Sequence, residues 1–206
     1  MIEPDAPRQP RHSRDDVALA ALGILDELGL PDLTMRRLAQ QLSVQPSALY
    51  WHFPNKQSLL AEVADRIVAG VRAQELGHWQ AVIATLTTDL RNSLLAYRDG
   101  AEVVSSSFAL GLGAKRPVDE LTTALIAGGF SPEIAQRAAT ALMHFVLGHV
   151  LHEQQRLQYG SAGVDIARPA GDGSHEFRFG VELLTAGLGA LEPATSGAIG
   201  GVRSER

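Results

Sequence analysis

The stretch SVQPSALYWHFPNKQSLL, residues 43–60, decides how this chain is read. Tyr50, Trp51, His52 and Phe53 put rings at four consecutive positions of a chain that is only 5% aromatic. Pro46 suits the first position of a helix, where its missing N–H costs nothing. Pro54 cannot continue that helix. The segment between them is therefore a very short helix, about residues 46–51. Asn55 suits the cap of a following helix that begins at Lys56 and turns Leu59, Leu60, Val63 and Ile67 inward.

Upstream, Thr34 is a good N-cap for another short helix. Leu38, Ala39 and Leu42 form its apolar face, and Arg36, Arg37, Gln40 and Gln41 its polar one. Ser43-Val44-Gln45 leaves only a three-residue turn between the two short helices, which is helix-turn-helix spacing. A longer helix precedes them. Ser13 and Asp16 fit a capping box, Val17, Ala21, Ile24 and Leu28 recur at helical spacing, and Gly29 stops it.

Residues 34–56 contain no Asp or Glu but include Arg36, Arg37 and Lys56. A locally basic window in an acidic chain suits phosphate. A helix in the major groove presents its first residues to base edges. Here these are Gln45, Pro46, Ser47 and Ala48. Ser47 suits a base or a phosphate, and Ala48 a thymine methyl. Tyr50, His52 and Lys56 carry donors suited to phosphate oxygens. Of Trp51 and Phe53, at least one is expected to plug the core and fix the turn.

The remainder also reads as helix, over about residues 78–97, 101–110, 117–128, 131–157 and 174–191, and no alternating strand pattern of any length appears. Ser131, Pro132 and Glu133 open the fourth of these. The glycine-rich stretch after it marks a mobile loop, about 158–174. Residues 1–12, with Pro4, Pro7 and Pro10, and residues 193–206 read as disordered tails. The expected organisation is all-α: a helix-turn-helix DNA-binding domain over 13–70 and a second helical domain over 71–192.

The totals bound the function. The chain has 206 residues, 45% of them hydrophobic, and a net charge of -5. That charge argues against coating nucleic acid by bulk attraction. No apolar run reaches the ~18 residues of a membrane span. The polar start shows no signal-peptide core, so a cytoplasmic protein is expected. There is no cysteine, hence no disulfide, thiol nucleophile or cysteine metal site.

The helix over 131–157 carries Ile134, Ala138, Ala141, Leu142, Phe145, Gly148 and His149 on overlapping faces, with small residues that permit close approach. The last helix offers Phe177, Val181, Leu184 and Leu188. Two such helices per subunit pair with their symmetry mates as a four-helix bundle, so a homodimer is expected. His144, His149, His152 and Glu153 share the long helix but make no complete metal set and no nucleophile–base pair. No metal, cofactor or catalytic residue is assigned. A helical enzyme using that His/Glu cluster, or a dimeric module without DNA binding, are the alternatives.

The run LTMRRLAQQLSVQPSALYWHFPNKQSLL resembles the DNA-binding domain of the tetracycline repressor (TetR) family of transcription regulators. LLAYRDGAEVV (94–104), GGFSPE (128–133), HFVLGHVLHEQ (144–154) and FRFGVELLTAGL (177–188) resemble the tetracycline-repressor type of C-terminal domain. The resemblance implies a repressor that binds a palindromic operator as a homodimer and is released by a small effector. It places Arg36, Ser47, Ala48, Tyr50, His52 and Lys56 at DNA-contacting positions, with Thr34, Arg37, Gln45, Pro46 and Trp51 beside them. Pro46 stands where the family has a polar base reader. The family's drug-and-magnesium pocket is altered. Val104, Leu86, Leu90, Arg72 and His152 occupy its polar or aromatic positions. With Val103, Phe108, Leu121, Leu125, Leu142, Phe145 and His149, they imply a mostly apolar site for a hydrophobic or aromatic effector.

Overall fold

A computed structural model describes residues 12–73, 77–161 and 173–191. Among the described residues the chain is all-α: α1 Arg14–Leu28, α2 Met35–Gln41, α3 Pro46–Tyr50, α4 Lys56–Ile67, α5 Trp79–Leu95, α6 Gly100–Ala109, α7 Arg116–Ala127, α8 Pro132–Ser161 and α9 Ser174–Gly189. The expected tails, apart from His12, and residues 162–172 of the expected loop lie outside the described residues. The long helix differs from its expected end. α8 runs on to Ser161, so residues 158–161 are helix rather than loop. No proline interrupts it there.

Side-chain caps set the starts of α1, α2 and α4. Ser13 and Asp16 close a reciprocal box at α1, Asn55 and Ser58 another at α4, and the Thr34 hydroxyl oxygen accepts from the Arg37 N–H at 3.1 Å. The Ser13 backbone N–H and hydroxyl both donate to Asp16 and hold its carboxyl below the usual carboxylate range. That folded-state pKa is depressed. The cap is therefore fully formed above the ordinary range and is lost as pH falls beneath it.

The chain divides into two compact units. The first comprises residues 1–69 and 93–115, the second residues 70–92 and 116–206. In the first, Val17, Ala21, Ile24 and Leu25 of α1 lie buried with Leu33, Leu38, Leu49, Phe53, Leu59 and Val63. α6 belongs to this unit and packs chiefly on α4. Carboxylates clasp both of its ends. Asp99, just before α6, accepts from the Leu30 N–H at 2.8 Å, and Asp65 of α4 accepts from the Ala114 N–H at 2.6 Å. Gly29 makes the first clasp possible. Its φ is +87°, and a Cβ there would lie 2.8 Å from Asp99 Oδ2.

In the second unit α7 packs along α8, which buries Ala135, Ala139, Leu142, Met143, Val146 and Val150 at helical spacing. α9 lies against α8 through Phe177, Val181 and Thr185. At Gly180 a Cβ would meet Phe145 Cζ at 2.2 Å, so only glycine permits that approach. An ion pair ties α5 to α8: Arg91 donates from Nη2 and Nε to Glu153 at 2.6 and 3.1 Å, with each side chain only 12% exposed. Such a forked, charge-assisted pair is directional and strong. The Arg91 guanidinium also lies over Phe177, 5.5 Å from its centroid.

The outward side of α9 differs from the face expected to pair. Phe177 and Val181 are core of one chain, and Leu184 and Leu188 are half-buried. Phe179, Leu183 and Leu191 are the exposed apolar residues, with Ala186 and Gly187 between them. Two residues along a helix turn it by about 200°. Phe177 and Phe179 therefore stand on opposite sides, and both sides of α9 are apolar. α8 divides in the same way, with Ala138 and Leu142 inside and Ala141, His144 and Gly148 outside.

Candidate nucleic-acid interface

α2, the turn and α3 form a compact hairpin. Ser43 adopts a left-handed conformation with φ 55°, which ends α2, and the Val44 N–H then bonds to Ala39 O at 3.0 Å. α3 has five residues, of which Leu49 is buried. The His52 and Phe53 N–H groups close on Leu49 O at 3.0 and 2.9 Å, so the helix ends by folding its chain back toward the core.

The ring cluster thereby divides. Phe53 is fully buried and Trp51 is 90% exposed. Phe53 is the plug, and the Arg14 guanidinium caps its ring at 4.8 Å. Tyr50 is exposed, and His52 and Lys56 are half-buried.

The edge aimed outward is the one at the start of α3. Gln45, Pro46, Ser47 and Ala48 are all exposed, and Gln45 occupies the N-cap without using its side chain as a cap. Its carboxamide is left for another partner. Arg36 is exposed, and among the described residues neither it nor Lys56 forms an ion pair. Arg37 differs: it pairs with Asp32 at 2.7 Å, and its backbone N–H is held by Thr34. One residue was missed by the sequence reading. His12, assigned to a disordered tail, places Nε2 3.0 Å from Leu42 O at the end of α2. No local pattern signals a contact across thirty residues.

The residues expected to hold an effector separate between the units. Val103 and Val104 are fully buried, and Phe108 half-buried, in the first unit. Leu86, Leu90, Leu121, Leu125 and Leu142 are buried in the second, where Phe145 and His149 are half-buried. The rings of Phe145 and His149 face Phe177 at 5.7 and 5.3 Å, and His149 Nε2 is buried without a hydrogen-bond partner. Arg72 and His152 are exposed, apart from these buried groups.

Residues 19–63 match the family described as bacterial regulatory proteins, tetR family, and residues 72–170 match the tetracyclin repressor-like C-terminal domain. The chain is 36% identical to the class A tetracycline repressor of transposon 1721 from Escherichia coli, over 67% of this chain and 65% of that protein. It is 33% identical to the class D tetracycline repressor from Escherichia coli, over 93% of this chain and 95% of the relative. A crystal structure of BioQ with its double-stranded DNA operator superposes with a TM-score of 0.73 at 41% identity, covering 87% of this chain and 99% of that one. Among the described residues no helix is long and apolar enough to cross a membrane. With the helix-turn-helix geometry and these matches along both halves, the chain belongs to the tetR family of bacterial regulatory proteins, whose members are DNA-binding transcription regulators and not enzymes.

Proposed function

We propose that this protein is a homodimeric, ligand-responsive repressor that acts in the bacterial cytoplasm on a palindromic operator. The observation that carries the reading is the start of α3. Gln45, Ser47 and Ala48 stand exposed there, while Leu49 and Phe53 are buried and hold the helix in place. The relative BioQ, solved on its operator, supports duplex DNA as the partner. Gln45, Ser47 and Ala48 read bases beside Pro46. Thr34, Arg36, Tyr50, Trp51, His52 and Lys56 grip the backbone, and Arg37, paired with Asp32, contributes least. Two such readers one helical turn apart, ~34 Å, select a palindrome. The outward apolar sides of α8 and α9 supply the dimer contact.

The test is fluorescence anisotropy of the purified protein against duplexes tiling the DNA upstream of its own coding region, across a salt series. One tile is expected to bind tightly with a steep salt slope. Arg36→Ala is expected to weaken that tile several-fold and to reduce the slope by about one unit for each phosphate left without its cation. Uniform weak binding to every tile, unaffected by Arg36→Ala, would refute the reading.

The effector is proposed to be a neutral aromatic or hydrophobic molecule. Leu86, Leu90, Leu121, Leu125 and Leu142 supply apolar surface in the second unit, and His149 Nε2, buried there without a partner, suits a hydrogen bond to the effector. Stabilisation at a hundred times Kd is expected to reach about 2.7 kcal/mol. A thermal-shift panel in which only magnesium-chelated or highly polar compounds raise the Tm would overturn the assignment.

A further inference from the structure

Pro46 leaves the turn between α2 and α3 short of a donor. In a continuing helix the Leu42 carbonyl oxygen would accept from the N–H four residues on. That residue is Pro46, which has no N–H to give. Ser43 turns the chain away in a left-handed conformation, φ 55°, and among the described residues no backbone N–H bonds to Leu42 O. The donor comes from thirty residues upstream, where His12 places Nε2 3.0 Å from that oxygen. A carbonyl only accepts, so the ring nitrogen carries the proton and donates. His12 is itself held. It directly precedes Ser13, the N-cap of α1, whose reciprocal box with Asp16 fixes the backbone there. Arg14, two residues on, lies over the Phe53 ring beyond the other end of α3. The first turn of α1 thus grips the reading hairpin at the end of α2 and again past the end of α3.

The first grip bears directly on α3. Leu42 is the C-cap of α2, and only Ser43, Val44 and Gln45 separate it from Pro46. α3 has five residues and buries only Leu49, so it is too short to hold its own direction. The turn before it must do so. We propose that His12 is a positioning residue for DNA reading: by donating to Leu42 O it fixes the α2–α3 turn, and through the turn the angle at which Gln45, Ser47 and Ala48 meet the base edges. This rests on the reading of the protein as an operator-binding repressor. His12 acts through the turn and touches neither base nor phosphate. A phosphate contact adds affinity for any duplex, whereas a positioning contact adds it only where base contacts must fall in register.

The test uses the full chain, the tile that it binds and a duplex of scrambled sequence, across a salt series. His12→Ala is expected to weaken the operator tile about five- to thirtyfold, since a hydrogen bond of ordinary net strength is lost in each subunit. Binding to the scrambled duplex is expected to stay within about twofold, because phosphate contacts carry it. The salt slope is expected to stay unchanged, because no phosphate loses a cation. His12→Gln, whose carboxamide nitrogen also donates, is expected to recover operator affinity to within about threefold of the unsubstituted protein. The Tm of either variant is expected to fall by no more than about 4 °C. Undiminished discrimination between the two duplexes in His12→Ala would overturn the positioning role, whatever happens to the Tm. A shallower salt slope with equal losses on both duplexes would make His12 a phosphate contact and overturn it as well. His12→Gln as weak as His12→Ala would overturn the hydrogen bond as the cause. Failure of the unsubstituted protein to select any tile would instead overturn the repressor reading on which the role rests.

Discussion

Phe179→Asp/Leu183→Asp is expected to split the dimer into monomers and to weaken operator binding by at least about a hundredfold. Both residues stand on the outward side of α9, 66% and 63% exposed in the single chain. Their replacement leaves the core of one chain intact. A two-fold interface uses the same patch on both subunits, so each substitution acts twice. Burying a Phe or Leu side chain is worth about 1.5–3 kcal/mol, and a desolvated carboxylate in its place adds a further cost. Loss of the second half-site then removes the avidity term, on the order of 10²–10⁴. Sedimentation velocity and the anisotropy assay measure the two consequences. A double variant that stays dimeric and binds normally would place the interface elsewhere. Leu19→Asp, a comparably exposed leucine on α1 of the other unit, is the control and is expected to leave the dimer unchanged.

Phe53→Ala is expected to cost about 3–5 kcal/mol of stability, because it deletes a fully buried ring and leaves a cavity. It also removes the surface on which Arg14 rests and the anchor that holds the end of α3. Trp51→Ala, two residues earlier, is expected to change stability by no more than about 0.5 kcal/mol, since that side chain is 90% exposed. On the proposed reading, its effect is expected in operator affinity instead. Thermal or urea unfolding of the two variants separates the roles, and similar losses of stability in both would contradict the division of the rings.

Much of the candidate site was legible in the sequence because its signals are local. Ser13, Thr34 and Asn55 satisfy N–H groups within three residues of themselves, so their caps follow from spacing alone. Pro46 opens the five-residue α3 and Pro54 lies just beyond it, so both limits of that helix follow from the sequence. The turn residues, the acid-free window and the ring cluster all lie within one short stretch of chain.

The sequence by itself therefore determined the all-α class, the helix order and the helix-turn-helix. Only the tertiary structure decided the rest. It made Phe53 and not Trp51 the plug, since both rings suit either role until a core is present. It joined α6 to the first unit, through Asp99 with Leu30 and Asp65 with Ala114 across 69 and 49 residues of chain. It paired Arg91 with Glu153 across 62 residues, and His12 with Leu42 across 30. It also chose which apolar side of α9 faces inward. Helical periodicity defines faces but carries no information about which neighbour covers each one, and α9 has two apolar faces to offer.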